Sequence, residues 1–178
     1  MFFEFENKTV YYDMKGEGKP ILLLNGIMMS TLSWEPFVTS FTKSNTLIRL
    51  DFLDQGQSAK MQEPYTQDIQ VRLVKSLLDF LKISKISIAG ISYGSEIAVS
   101  FAVRFSEYID RLLLFNTAVK TTAWLKDIGR SWIAVGKTRD GEAYYNTTIP
   151  IIYSSRYYQE KIEWMEQRRQ KLIPIFSN

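Results

Sequence analysis

Between Pro20 and Ala118 the sequence alternates short apolar runs with longer amphipathic ones, and no other feature restricts the fold as much. The run "ILLLN" (21–25) is too short for a helix and is bounded by Pro20 and Gly26, which suits a strand buried on both faces. "TLIRLD" (46–51), "KISIAGI" (85–91) and "RLLLFNTA" (111–118) read in the same way. The segments between them carry helical spacing. Ser33 is placed to cap a helix with Trp34, Phe37 and Phe41 on one side and Pro36 in its first turn. Over 66–82 the positions Ile69, Leu73, Val74, Leu77, Phe80 and Leu81 recur at helical spacing, and "GSEIAVSFAVRF" (94–105) predicts a third helix. Strand and helix in alternation imply a mostly parallel sheet with helices on both faces.

A hairpin precedes this array: "FFEF" and "TVYYDM" read as strands, and "GEGKP" after them as a turn. After Val119 the alternation stops. The rest of the chain holds helical patterns rich in aromatics, among them Trp124, Trp132, Tyr144, Tyr145, Tyr153, Tyr157, Tyr158 and Trp164. The expected division is therefore a core over 1–119 and a helical segment over 120–178.

Composition narrows the chemistry. At 178 residues and 46% hydrophobic, the chain can bury a sizeable core. Its net charge of +3 is scattered, and the densest basic cluster, Arg168-Arg169-Gln170-Lys171, reads as a solvated helix face. Neither nucleic acid nor membrane is expected as a partner. With neither cysteine nor histidine there is no disulfide framework, no thiolate chemistry and no zinc site of the usual kind, and no cofactor is implied. The acidic N-terminus, "MFFEFENKTV", is not a secretory signal, so a cytoplasmic protein is the expectation.

The chemistry-bearing stretch is "IAGISYGSE" (88–96). Gly90-Ile91-Ser92-Tyr93-Gly94 has the G-x-S-x-G spacing and joins a predicted strand directly to a predicted helix. In that setting Ser92 sits in a strained conformation on a sharp turn, while Gly90 and Gly94 leave room where strand and helix meet. The N–H of Tyr93 at the helix start can then hold an oxyanion, and the N–H of Ile27, just beyond Asn25-Gly26, can supply a second donor. The plainer alternative is a glycine-lined turn with an ordinary capping serine. Glu96 is expected to pair locally.

These stretches together resemble the α/β-hydrolase fold, in its esterase, haloperoxidase and meta-cleavage hydrolase group. "ILLLNGIMMSTLSWEPFV" resembles the family's strand and oxyanion loop, with Asn25-Gly26 where the family usually has His-Gly. "RLDFLDQGQS" resembles its Asp-x-x-Gly-x-Gly-x-Ser loop, with Gln55 between Asp54 and Gly56 and with Ser58 closing it. "IAGISYGSEIAVSFAVRFSEYIDRLLLFNTA" is similar to its elbow, helix and next strand, with Ser95 where a further glycine is common.

The resemblance implies a core of six strands plus a helical cap, with Ser92 as nucleophile and Tyr93 and Ile27 as oxyanion donors. It implies a small hydrophobic carbonyl substrate, such as an ester or thioester, whose pocket the cap aromatics could line. The family's acid and histidine lie on later strands that these residues do not include. The sheet is thus expected to be incomplete at its C-terminal edge, open to self-association or a partner chain.

Three readings follow, in this order. The chain is a truncated or inactive form of a serine hydrolase, a non-catalytic binder of a small apolar ligand, or an interaction module that pairs through its sheet edge.

Overall fold

The computed structural model describes residues 1–177. Its strands are β1 (Phe2–Phe5), β2 (Lys8–Lys15), β3 (Lys19–Leu24), β4 (Asn45–Leu50), β5 (Ile86–Ile91) and β6 (Ile109–Phe115), in one sheet ordered β1-β2-β4-β3-β5-β6. β1 and β2 are antiparallel, joined by Glu6 and Asn7 at φ 46° and 60°, the two left-handed residues that a tight hairpin needs. β2 runs antiparallel to β4, whereas β4, β3, β5 and β6 are mutually parallel.

The parallel strands alternate between two cores, which is why their sequences read as unbroken apolar runs. Leu22, Leu24, Ile48, Leu50, Ile86 and Ile88 pack with helices α2 (Asp68–Phe80) and α3 (Tyr93–Arg104) on one face. Ile21, Leu23, Leu47 and Ala89 pack with Trp34, Val38 and Phe41 on the other. Helices thus cover both faces, as the alternation implies.

The segment around Trp34 differs from its expected form. Thr31–Phe37 is a 3-10 helix followed by the single turn α1 (Val38–Phe41), and Ser30 rather than Ser33 precedes it. Ser33 is the third residue, and its Oγ accepts the Ser30 N–H at 3.2 Å. Pro36 therefore falls late in the helix, and Phe37 is 52% exposed instead of facing the sheet. Of the three aromatics only Trp34 is buried, and its indole N–H donates to the buried Asn25 Oδ1 at 2.7 Å.

One buried charge ties this segment to the sheet. Arg49 on β4 stands directly opposite Asp13 on β2, and its side chain is 2% exposed. Its Nε donates to Asp13 Oδ1 at 2.8 Å, Nη2 donates to Asp13 Oδ2, and Nη1 reaches Glu35 at 2.6 Å and the Thr31 carbonyl at 3.1 Å. The Asp13 carboxylate, more than any other group, raises the guanidinium's pKa above its ordinary value.

The chain divides into two compact units, Met1–Val119 and a helical unit from Lys120 onward. The second contains α4 (Ala123–Gly136), α5 (Gly141–Ile152), α6 (Ser155–Glu160) and α7 (Ile162–Phe176). Thr122, Asp140 and Ser154 cap the first three of these through side-chain oxygens. Tyr145, Ile149 and Met165 form its small core, and the Tyr145 hydroxyl donates to the Met165 carbonyl at 3.0 Å. Tyr153 and Tyr158 pack against that core, whereas Trp124 is 68% exposed. Among the described residues no helix is long and apolar enough to cross a membrane.

Removing Asp13 should leave the Nε and Nη2 donors of buried Arg49 without their acceptor, with Glu35 as the remaining carboxylate partner. Asp13→Ala is therefore expected to lower unfolding free energy in urea by about 3 kcal/mol. An unchanged midpoint would show that the pair contributes nothing to the fold.

Candidate active site

The distinctive geometry lies where β5 passes into α3. Ser92 bridges them at φ 51° and ψ −118°, outside the regions that an L-residue prefers. It is held there from both sides: its N–H donates to the Phe115 carbonyl on β6 at 2.8 Å, and its own carbonyl accepts the N–H groups of Ser95 and Glu96 at 2.9 and 3.2 Å. The strained backbone is thus part of both the sheet and the helix.

Sterics explain the two glycines. A Cβ on Gly90 would lie 2.6 Å from the Gly94 oxygen and 2.8 Å from the Ser95 Cα. A Cβ on Gly94 would lie 2.6 Å from the Asn25 oxygen, at the end of β3. The helix therefore starts in backbone contact with both strands beneath it. Ser95, fully buried, uses its hydroxyl at the same junction: Oγ donates toward the Gly90 and Phe115 carbonyls and accepts the Phe115 N–H at 3.2 Å. A third glycine is thus replaced by a side chain that joins α3 to β5 and β6.

The turn after β3 lies beside the elbow. Asn25 and Gly26 are buried, and a Cβ on Gly26 would come within 3.3 Å of the Ile91 carbonyl. Met29 N–H donates to the Gly26 carbonyl at 3.3 Å, closing a four-residue turn with Met28 at φ 59°. The structure thereby brings Asn25, Gly26 and the elbow glycines together. The N–H groups of Ile27 and Tyr93 have no acceptor among the described residues, so both remain available to a ligand.

Asn25 is not free for chemistry. Its Nδ2 donates to the Leu50 carbonyl at 2.8 Å and to Gln55 Oε1 at 3.0 Å, while Oδ1 accepts Trp34 Nε1. Gln55 Nε2 in turn donates to the Gly26 carbonyl at 3.0 Å. Asp51, 1% exposed, anchors the surrounding loops by accepting the N–H groups of Thr31 at 2.6 Å and Gln57 at 3.0 Å. Asp54, at φ 70°, accepts the Tyr65 hydroxyl at 2.7 Å.

No carboxylate or lysine is hydrogen-bonded to the Ser92 hydroxyl among the described residues. Glu96 does not pair locally as expected: it accepts from Gln67 Nε2, 29 residues away in sequence, at 2.7 Å, because the start of α2 lies beside α3. The Tyr93 phenol is no base at neutral pH, since burial, reinforced by the charges of Glu96 and Asp54, pushes its pKa up to about 12. No group of three or more metal-binding side chains occurs among the described residues.

Residues 19–151 match the model of the alpha/beta hydrolase fold family. The chain belongs to that family. Its structure superposes with TM-score 0.98 on an alpha/beta hydrolase enzyme from a Medee basin deep-sea metagenome library, at 47% identity over 100% of this chain and 66% of that one. In sequence it is 30% identical to the 2-hydroxy-6-oxo-6-(2'-aminophenyl)hexa-2,4-dienoic acid hydrolase of Metapseudomonas resinovorans, over 71% of this chain and 44% of that protein. The enol-lactonase of Burkholderia xenovorans shares the fold, with TM-score 0.81 at 23% identity over 97% of this chain and 67% of that one. The chain thus spans under half the length of that curated relative and about two thirds of the two solved structures.

The sequence reading missed the amides of Asn25 and Gln55 as a pair, the anchoring role of Asp51 and the joining role of Ser95. The only signal was that Asn25, Gln55 and Ser95 each stand beside a glycine, and Asp51 carried no such mark.

In this alpha/beta hydrolase the strain at Ser92 is measurable. Ser92→Gly is expected to raise unfolding free energy by about 1 kcal/mol, because glycine adopts that φ without strain and offsets its greater unfolded entropy. Ser92→Ala, which keeps a Cβ, should bring no such gain. Equal stability of the two variants in denaturant titration would overturn this account.

Proposed function

We propose that the protein is a serine hydrolase of esters, thioesters or related carbonyl compounds, in which Ser92 is the nucleophile and the N–H groups of Tyr93 and Ile27 hold the oxyanion. The observation that supports this most is the Ser92 backbone, kept at φ 51° between a strand and a helix whose contact excludes side chains at Gly90 and Gly94. An ordinary capping serine needs no such conformation. The named hydrolases among the relatives support the reaction class: the Metapseudomonas protein is a hydrolase of a dienoic acid.

Attack by Ser92 Oγ on a carbonyl carbon requires a proton acceptor. The 178 residues contain no histidine, and the Ser92 hydroxyl has no bonded base among the described residues. These residues therefore carry the nucleophile and oxyanion half of the machinery. On their own they retain the limited assistance that remains when a triad member is missing. Without a base, the chain would bind its carbonyl ligand without rapid turnover. The helical unit from Lys120 onward is, in this reading, the family's cap segment. A cytoplasmic location fits this reading.

A second reading rests on β6, an edge strand whose Leu113, Leu114 and Phe115 are 38%, 39% and 50% exposed. Such an edge can pair with another polypeptide strand or a second copy of the chain. A concentration-dependent dimer in sedimentation equilibrium, lost on Leu113→Lys, would favour it.

The first reading is tested with an alkyl fluorophosphonate. Ser92 Oγ forms a bond to phosphorus, the P–F bond breaks, fluoride leaves and the proton passes to hydroxide. A single phosphonyl group is expected on the peptide containing Ser92 and none in Ser92→Ala. With no imidazole to titrate, the labelling rate should rise about tenfold per pH unit through neutrality, with no plateau near the usual histidine pKa of about 6.5. Labelling at another residue, or none at Ser92, would remove serine hydrolysis as the function.

A further inference from the structure

Gln55 holds the peptide that presents the Ile27 N–H. Its side chain is a two-way link: Oε1 accepts from Asn25 Nδ2 at 3.0 Å, and Nε2 donates to the Gly26 carbonyl at 3.0 Å. The carbonyl of Gly26 and the N–H of Ile27 belong to one planar trans peptide, and they point in opposite directions from it. A donor fixed on the carbonyl side therefore fixes the direction of the N–H on the other side. The Met29 N–H shares the same carbonyl at 3.3 Å, so the peptide is held by one short side-chain bond and one longer turn bond.

Gln55 is itself fixed. Asn25, fully buried, orients it with one amide hydrogen, directs the other to the Leu50 carbonyl and accepts the Trp34 indole with its oxygen. A chain of bonds thus runs from a buried tryptophan through two amides to a peptide whose N–H is unpaired. Each bond in such a chain polarises the next, and a hydrogen bond on a peptide carbonyl makes the N–H of the same peptide a better donor.

We infer that Gln55 is a positioning residue for the oxyanion, setting the direction and donor strength of the Ile27 N–H through the Gly26 carbonyl. This rests on the reading of Ile27 as an oxyanion donor. It assigns a function to a glutamine that touches neither nucleophile nor substrate. Gln55→Leu removes both bonds of the link, and Gln55→Glu keeps an acceptor for Asn25 while removing the donor to Gly26.

Two measurements on the full chain test this. In the first, 15N relaxation of the Ile27 amide in the free protein is compared between variants. Its order parameter should stand near 0.85 with Gln55 and fall below about 0.6 in both Gln55→Leu and Gln55→Glu, while the Trp34 indole signal of Gln55→Glu stays in place. An unchanged Ile27 order parameter overturns the inference, whatever Ser92 does.

In the second, phenylboronic acid is titrated calorimetrically as a tetrahedral oxyanion mimic: Ser92 Oγ adds to boron, and the hydroxyl proton passes to buffer. Gln55→Leu should weaken binding about tenfold, somewhat less than the loss of a whole oxyanion donor. Ile27→Pro removes that donor at a turn position that accepts proline, and in its background Gln55→Leu should weaken binding no further. A tenfold loss that persists in the Ile27→Pro background overturns the route through Ile27. Boronate binding that survives Ser92→Ala overturns the inference by another path, since it sinks the serine reading on which the inference stands.

Discussion

Close approach of backbones at the start of α3 is the constraint from which the rest of the site follows. The helix begins against the ends of β3 and β5 at a separation that leaves no space for a Cβ at Gly90 or Gly94. With the glycines in place, Ser92 must make the reversal from strand to helix in a single residue, at a backbone angle that a serine does not choose unaided. The surrounding bonds enforce it: the Phe115 carbonyl holds the Ser92 N–H, and the first turn of α3 holds its carbonyl. Strain at one residue is thus sustained by a sheet and a helix that are stable for other reasons.

The same closeness sets the second loop. Because Gly94 contacts the backbone of Leu24 and Asn25, the chain leaving β3 is placed beside the elbow before any side chain of the turn takes part. Asn25, Gln55, Trp34 and Asp51 then fix the detail of that turn with hydrogen bonds in a buried setting, where an unmet donor would be expensive. Arg49 and Asp13 do a comparable task one strand away, holding the Thr31–Phe37 helix to β4 and β2. Two polar networks, one around Asn25 and one around Arg49, therefore hold the loops that flank the site, and the apolar cores hold the sheet.

This division explains how much was legible in the sequence. Strand and helix order follows from apolar periodicity, a local property, so the parallel array from β3 to β6, with its two covered faces, could be read from residues 20–118. The serine turn was equally visible, because its glycines answer to a steric demand that has few other solutions. What escaped depends on partners distant in sequence. Asn25 meets Gln55 thirty residues away, and the capping register at Ser30 and Ser33 is decided by Trp34 reaching Asn25. No periodicity records such pairings. Phe37 reads as a core residue by spacing and ends more than half exposed, because the tighter 3-10 winding of its segment turns it out over the edge of Trp34.

The Asn25–Gln55 pair also bears on what an asparagine does at the position where the resemblance to the fold family leads one to expect His-Gly. A neutral imidazole offers one donor and one acceptor, whereas the carboxamide at position 25 uses two donors and an acceptor at once, to Leu50, Gln55 and Trp34. With an imidazole there, one of these three partners would go unmet in a site that is fully buried. Asparagine and glutamine are thus matched to each other, and the match does not depend on pH, since neither amide titrates. The turn that presents the Ile27 N–H is therefore held in the same way across the pH range in which a histidine would change charge.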